Sequence, residues 1–296
     1  MSASQSVSAL TIIRGRQDHF DHLVAGLGAQ VQPPDELIVA FMQEDAPAIT
    51  REVPFPVHFV HVPGGPLPLA SARNQAAERA SGNILAFLDV DCIPDREYVR
   101  CVNAAVETEP DGIFLPEVRY LPASDNGWMD HRSGEPDYPR LTRNAVRHPA
   151  KPEVYDRSII AIDDYGELWG LAFALRRETW RKAGGMDENY IGYGAEETDF
   201  GQRLKSVEAP MFWLGGTLCF HQHHSVHKPP LQHFTSIIRN ARLYRARWGE
   251  WCMTYWLDDF EKRGLIARRH DTIEVIRTPT PAEIEQTEQG PDVRFS

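Results

Sequence analysis

The apolar run Ile84-Leu85-Ala86-Phe87-Leu88 ends in Asp89-Val90-Asp91. Two carboxylates at the end of a buried strand each face a desolvation penalty of several kcal/mol, on the order of the cost of an unpaired buried ion, so a positive partner is required. Asp-x-Asp supplies hard oxygen ligands suited to Mn2+ or Mg2+. A third protein ligand is expected elsewhere, and the stretch "TLCFHQHHSVH" (217–227) ends a short strand at His221, with His223, His224 and His227 close behind. A three-histidine zinc site is disfavoured because the chain also offers the oxygens of Asp89 and Asp91.

Other charged groups cluster in a similar way. Arg14 and Arg16 follow an apolar segment, and Arg73 lies near the start of the helical run "SARNQAAERA" (71–80), beside Asn74. Arginine there can meet a phosphate with a planar fork that lysine lacks, at a helix end whose dipole favours anions. The stretch "AEETDF" (195–200) puts Glu196, Glu197 and Asp199 at the start of an expected helix. Capping and dipole complementation explain one such carboxylate, with Asp199 the expected cap, and leave the others available for proton transfer. Trp169 and Gly170 precede the strand "LAFAL" (171–175); an aromatic ring can stack on a sugar face, and glycine leaves room for it.

Positioning these residues takes a sheet. "ALTIIR" (9–14) reads as a strand, Phe20, Leu23, Val24 and Leu27 recur at helical spacing, and "ELIVAF" (36–41) and "VHFVHV" (57–62) read as further strands. With the helix 71–80 closed by Gly82 and the strand ending at Asp89, this alternation predicts an α/β fold: a mostly parallel sheet flanked by helices. In such sheets ligands gather at the carboxyl ends of strands, where Asp89 and Asp91 fall. A polar stretch at 119–165, after "GIFLPEVRY" (112–120), reads as an active-site insert. Residues 231–278 read as a helical extension whose Trp248, Trp251, Tyr255, Trp256 and Phe260 are expected to cover the sheet, and 279–296 as a disordered tail.

Composition bounds the partners. The chain has 296 residues, 42% of them hydrophobic, and a net charge of −11. That acidity argues against a broad nucleic-acid surface, and leaves any anionic ligand to local cations or a metal. No run approaches the roughly 18 apolar residues of a membrane span. The four cysteines, Cys92, Cys101, Cys219 and Cys252, show no CxxC spacing, so reduced thiols and a cytoplasmic location are expected.

"IIRGRQDHF" (12–20), "ARNQAAERASG" (72–82), "DVDCIP" (89–94) and "WGLAFALRRETWRKAGGMDENYIGYGAEETDF" (169–200) together resemble glycosyltransferases of the GT-A (Rossmann-like) fold. They are similar to family 2 enzymes and, more closely, to the carboxyl-terminal region shared with β-1,4-galactosyltransferases and chondroitin polymerases, over about residues 9–224. "RGRQDH" resembles "RxRQEH" of the galactosyltransferases; their "WGGED" is here "YGAEE" (193–197), and this departure bears on the donor sugar.

The resemblance implies a GT-A domain over 1–230 and a metal-dependent inverting glycosyltransferase that moves a hexose from a nucleotide-diphosphate donor, a UDP-sugar, to an acceptor hydroxyl of a carbohydrate or similar molecule. It assigns Asp91 and His221 to Mn2+ or Mg2+, with Asp89 near the ribose or reaching the metal through water, and His223 and His224 as alternatives to His221. Arg14, Arg16, Arg73 and Asn74 would bind the nucleotide-sugar, Glu197 would be the general base, and Glu196, Trp169 and Gly170 would hold the acceptor. A retaining transferase on the same fold, or a catalytically idle nucleotide-sugar-binding protein, are the competing readings.

Overall fold

The computed structural model describes residues 5–123, 127–155 and 158–295. The chain opens with β1 (Val7–Ile13), α1 (Gln17–Gly28), β2 (Glu36–Phe41), β3 (Val57–His61), α2 (Leu69–Arg79) and β4 (Ile84–Leu88). Then come β5 (Cys92–Pro94), α3 (Tyr98–Thr108), β6 (Ile113–Tyr120), α4 (Tyr138–Asn144), β7 (Val146–Arg147) and β8 (Ile159–Ile162). The last third holds β9 (Ala172–Arg176), α5 (Arg177–Ala183), α6 (Glu196–Ser206), β10 (Met211–His221), α7 (Phe234–Trp248), α8 (Thr254–Lys262), the β11–β12 hairpin (Ile266–Arg268 and Ile273–Val275) and α9 (Pro281–Gln286).

The main sheet runs β3-β2-β1-β4-β9-β6-β10-β5. Strands β1 to β4 pair in parallel, as do β6 and β10. β9 is antiparallel to both of its neighbours, so all the long strands but β9 run in one sense. The continuous apolar run of β4 follows from burial on both faces, because successive side chains of a strand point to opposite sides. Ile84, Ala86 and Leu88 join one core with α1 and α3, while Leu85 and Phe87 join another with α2, α5 and α6.

Three features shape the site. β9 pairs with β6 only at Ile113–Leu175 and Phe114–Ala174, so the two strands part and leave a cleft between Leu115–Val118 and Trp169–Ala172. β10 breaks register between Leu214 and Leu218. Its end then pairs with β5 so that His221 faces Cys92, which delivers His221 beside Asp91.

The insert 119–165, of which residues 124–126 and 156–157 lie outside the described residues, carries α4, β7 and β8 and a small core of its own: Leu121, Trp128 and Leu141 pack with Ile93 and Phe220. The aromatics of the extension do not cover the sheet as expected. Phe260, Trp251 and Trp256 pack with Leu231, Phe234, Ile237 and Ile266 into a separate core, Trp248 packs beside Tyr190 and Tyr244, and Tyr255 is 61% exposed. The tail also departs from expectation. Thr280 and Glu283 form a capping box with Pro281 in the first turn of α9, an N-terminus signature that overrides the polar composition. Backbone bonds Lys228 N to Thr287 O (2.8 Å) and Gln289 N to Val226 O (2.9 Å) then hold the following segment against residues 226–228.

Candidate active site

The site has two poles joined by the Asp89–Asp91 turn. At the first, Asp91 is buried and its Oδ2 accepts a 2.5 Å hydrogen bond from Arg16 Nη1. Arg16 reaches it from a left-handed turn (φ 58°) at the start of α1, beside Gly15 at φ 69°. His221 Nε2 lies 3.7 Å from Asp91 Oδ1, and His224 Nε2 lies 3.5 Å from Oδ2. One ligand atom from each of Asp91, His221 and His224 falls within 4.8 Å of the others. Asp91 Oδ1 is buried without a hydrogen-bond donor, an acceptor atom of the kind a cation satisfies.

Burial acts to raise the Asp91 pKa, but the opposing charges of His221, Arg16 and His224 outweigh it and hold the carboxyl below its ordinary value. Burial lowers His221 to about 4, against the pull of Asp91, so both present the unprotonated lone pairs that a metal needs. One carboxylate oxygen and two imidazole nitrogens form a donor set for a divalent transition-metal ion, and with Asp89 outside it the oxygens that disfavoured zinc are reduced to those of Asp91. Of the alternatives to His221, His224 joins it rather than replacing it; the backbone carbonyl of His223 faces His19 Nε2 at 3.2 Å, and the His223 ring is not in the cluster. Nor is Asp89, which turns to the other pole.

At that second pole Arg73, 2% exposed, is surrounded by carboxylates. Its Nη2 donates to Asp89 Oδ1 (3.1 Å) and Glu197 Oε1 (3.2 Å), and Nη1 to Glu196 Oε1 (3.4 Å). Its guanidinium is therefore engaged by three anions rather than turned toward a phosphate. One cation does not neutralise three carboxylates. Burial pushes Asp89 up to about 6 in spite of Arg73, and burial followed by the charge of Glu196 pushes Glu197 up to about 8. Burial raises Glu196 as well.

Gly170 is part of this pole. Its N–H donates to Glu197, and a Cβ there would lie 1.9 Å from Glu197 Oε1 and 2.5 Å from Arg73 Nη2, so only glycine admits that approach. The turn before α6 is similarly built, with Gly194 at φ 92° and Ala195, the N-cap, at φ 75° and no side-chain cap. Asp199 is not the expected cap. Fully buried, it accepts from Arg203 Nε (2.6 Å), Arg247 Nη1 (2.9 Å) and Trp248 Nε1 (2.8 Å), and so ties α6 to the end of α7.

The remaining expected residues lie around these poles. Arg14 Nη1 donates to Gly65 O at 3.0 Å. The Asn74 side chain is committed to the loop after α5: its Nδ2 donates to Met186 O (2.8 Å) and Glu188 Oε1 (2.9 Å), and its Oδ1 accepts from Met186 N (2.9 Å). Trp169 sits on the cleft, but Lys151 Nζ lies 3.7 Å from its ring centroid and His148 meets it edge-on at 5.1 Å. Lys151 is also paired with Glu167, so a ring face expected for an acceptor is taken by the protein's own ammonium. Sequence reading did not single out Lys151, which sits in a polar loop with no pattern around it.

This is the GT-A fold of nucleotide-sugar glycosyltransferases. Within it, residues 22–164 match the family model described as glycosyl transferase family 2, and residues 161–225 the model described as the N-terminal domain of galactosyltransferase. Validoxylamine A glucosyltransferase of Streptomyces hygroscopicus subsp. limoneus is 25% identical over 235 residues, covering 71% of this chain and 50% of that protein; the chain thus spans half the length of this relative. Among solved structures, GalNAc-T7 with UDP, GalNAc and Mn2+ superimposes with a TM-score of 0.54 at 12% identity, over 89% of this chain and 55% of that one. TarS 1–349 of S. aureus gives a TM-score of 0.52 at 13% identity, over 80% of this chain and 64% of that one. Among the described residues no helix is long and apolar enough to cross a membrane.

Proposed function

We propose that this chain is a metal-dependent, inverting glycosyltransferase that passes a hexose from a UDP-sugar to an acceptor hydroxyl, with Glu197 as general base. The observation that carries the reading is the raised carboxyl of Glu197, held by Arg73 and the Gly170 N–H at the same strand ends as the Asp91, His221 and His224 cluster. Once ionised, a carboxyl raised to about 8 accepts a hydroxyl proton better than an ordinary carboxylate, so turnover should rise as pH approaches 8. Arg73 and Gly170 orient it, and Glu196, its neighbour in the first turn of α6, keeps its proton affinity high.

Asp91, His221 and His224 are the residues that would hold Mn2+, which when bound stabilises the charge of a departing nucleoside diphosphate. A UDP donor is favoured by the motifs shared with galactosyltransferases and by the nucleotide in GalNAc-T7 with UDP, GalNAc and Mn2+. Arg16 and Arg14 stand at the carboxyl end of β1, where such a nucleotide binds in this fold class. The relative's name suggests a glucosyl donor.

The test is release of UDP from UDP-glucose and UDP-galactose with Mn2+ or with a chelator, in wild type and in Glu197→Gln, with NMR of the product anomer. Metal-dependent release, strongly reduced in the variant and giving the opposite anomer, is the expected result. Release that ignores both the chelator and the variant would overturn the proposal.

A further inference from the structure

The covered face of Trp169 leaves open what an acceptor rests on, and the carboxyl-terminal extension supplies an answer. Tyr255, in the first turn of α8, exposes 61% of its surface, the joint largest value among the exposed large apolar side chains after Tyr155. It is not isolated. Its ring lies 4.9 Å from Trp256, Trp256 lies 5.5 Å from Tyr193, and Tyr193 stacks on His233 at 4.6 Å. The group is anchored beside the base. Trp256 Cζ3 would be 3.4 Å and Met253 Sδ 2.6 Å from a Cβ at Gly194, the glycine two residues before Glu196, so the start of α8 packs directly on the turn that launches α6.

The electrostatics agree with this placement. The protein packed around the Tyr255 hydroxyl, and then the Glu197 carboxylate, push that phenol up to about 12. Desolvation followed by Glu197 also raises Tyr193. Two tyrosines from different elements therefore sit in the field of the same carboxylate.

We propose that Tyr255, backed by Trp256 and Tyr193, is an acceptor platform: a six-membered polyhydroxylated ring, a hexopyranose or a cyclitol, stacks on it and turns a hydroxyl toward Glu197. The inference deepens the glycosyltransferase reading and rests on Glu197 as base. Aromatic faces bind the C–H face of such rings and leave the hydroxyls free for hydrogen bonding, and a site of few polar groups on an aromatic wall fixes orientation. An open-chain polyol offers no flat face and should not be held. The helical extension is then a part of the catalytic site and not an appendage, and Tyr255 stays exposed because its partner is the acceptor.

Saturation-transfer NMR on the full chain with UDP and Mn2+ tests this, using methyl β-D-glucopyranoside and myo-inositol as rings and ribitol as the open-chain comparison. Expected are saturation of the ring C–H protons of one or both cyclic ligands, little for ribitol, a loss of at least about five-fold in Tyr255→Ala, and recovery in Tyr255→Phe. The exposed position predicts an unchanged melting temperature for both variants, which separates the effect from misfolding. Equal saturation in Tyr255→Ala, equal saturation of ribitol, or no ring saturation in wild type would overturn the platform. Calorimetry of UDP with Mn2+ on the same samples reads the nucleotide-sugar proposal separately, so the two can fail independently.

Discussion

Replacing Glu197 by glutamine separates a residue kept for chemistry from one kept for stability. Burial and then Glu196 disfavour the ionised carboxyl more than Arg73 favours it, moving it from 4.5 to about 8. The unfolded chain releases this proton near its ordinary value and the folded chain holds it until about pH 8, so the folded state loses stability as pH rises through that window. At about 1.4 kcal/mol per pH unit the full shift gives an upper bound of roughly 3 kcal/mol at pH 7. The side chain is 31% exposed, and solvent screening reduces this to about 1 kcal/mol. Glutamine keeps the shape and can still accept from Arg73 and the Gly170 N–H. Glu197→Gln should therefore melt a few degrees above wild type at pH 7 to 8, with the gain vanishing toward pH 5, while turnover falls by roughly 10²–10⁴-fold. Thermal melts across pH 5 to 8 and kinetics at saturating donor measure both. A variant less stable than wild type at pH 7.5, or one with normal turnover, refutes the reasoning.

Gly170→Ala should lower turnover by about 100-fold, because its Cβ displaces the Glu197 carboxylate by an ångström or more; the melting point should fall little, since the displaced atoms end a flexible side chain, and a variant that keeps wild-type kcat counts against the site geometry. Asp199→Ala should behave in the opposite way, costing about 2 kcal/mol and several degrees by removing one of the two buried carboxylates, Asp187 being the other, that Arg203 and Arg247 share, as calorimetric unfolding would reveal; an unchanged melting point would remove Asp199 from its place as the tie between α6 and α7. In Mn2+ titrations with UDP, Asp91→Asn and His224→Ala should each weaken metal binding by at least about 10-fold and His223→Ala should not; equal losses in the two histidine variants would reject the cluster as drawn.

What the sequence revealed followed local pattern. β2 falls on 36–41 as read, and β4 ends where the two aspartates begin, because strands buried on both faces are continuous apolar runs whose ends are set by the first charge. The tail was also locally legible, but its composition spoke louder than its capping box. The partners of the charged side chains were not legible. Arg16 meets Asp91 across 75 residues and Arg73 meets Glu197 across 124, and nothing near an arginine in the sequence records which distant anion it will face. Trp169 shows the same limit, since the ammonium over its ring comes from a loop 18 positions upstream.

The position of Arg73 carries a consequence for charge. As a nucleotide clamp it would have brought a free cation to the donor; in the structure three carboxylates surround it, and that pole stays acidic enough to lift Asp89 to about 6 and Glu197 to about 8. Such a pole would repel the nucleoside diphosphate of the proposed donor, which would then be neutralised at the other pole, where Arg16 and the Asp91, His221 and His224 cluster stand. Arg16 already spends its 2.5 Å bond on Asp91 Oδ2. With one arginine so engaged and a chain of net charge −11, the proposed reading needs a divalent cation, which Asp91, His221 and His224 would hold and which would supply the positive charge that a nucleoside diphosphate requires at that pole. UDP affinity should accordingly collapse in a chelator while Glu197→Gln, which makes the acidic pole less negative once pH passes about 8, should there bind UDP with Mn2+ as well as wild type or better; calorimetry giving weaker binding for that variant would show that the two poles do not share one charge balance.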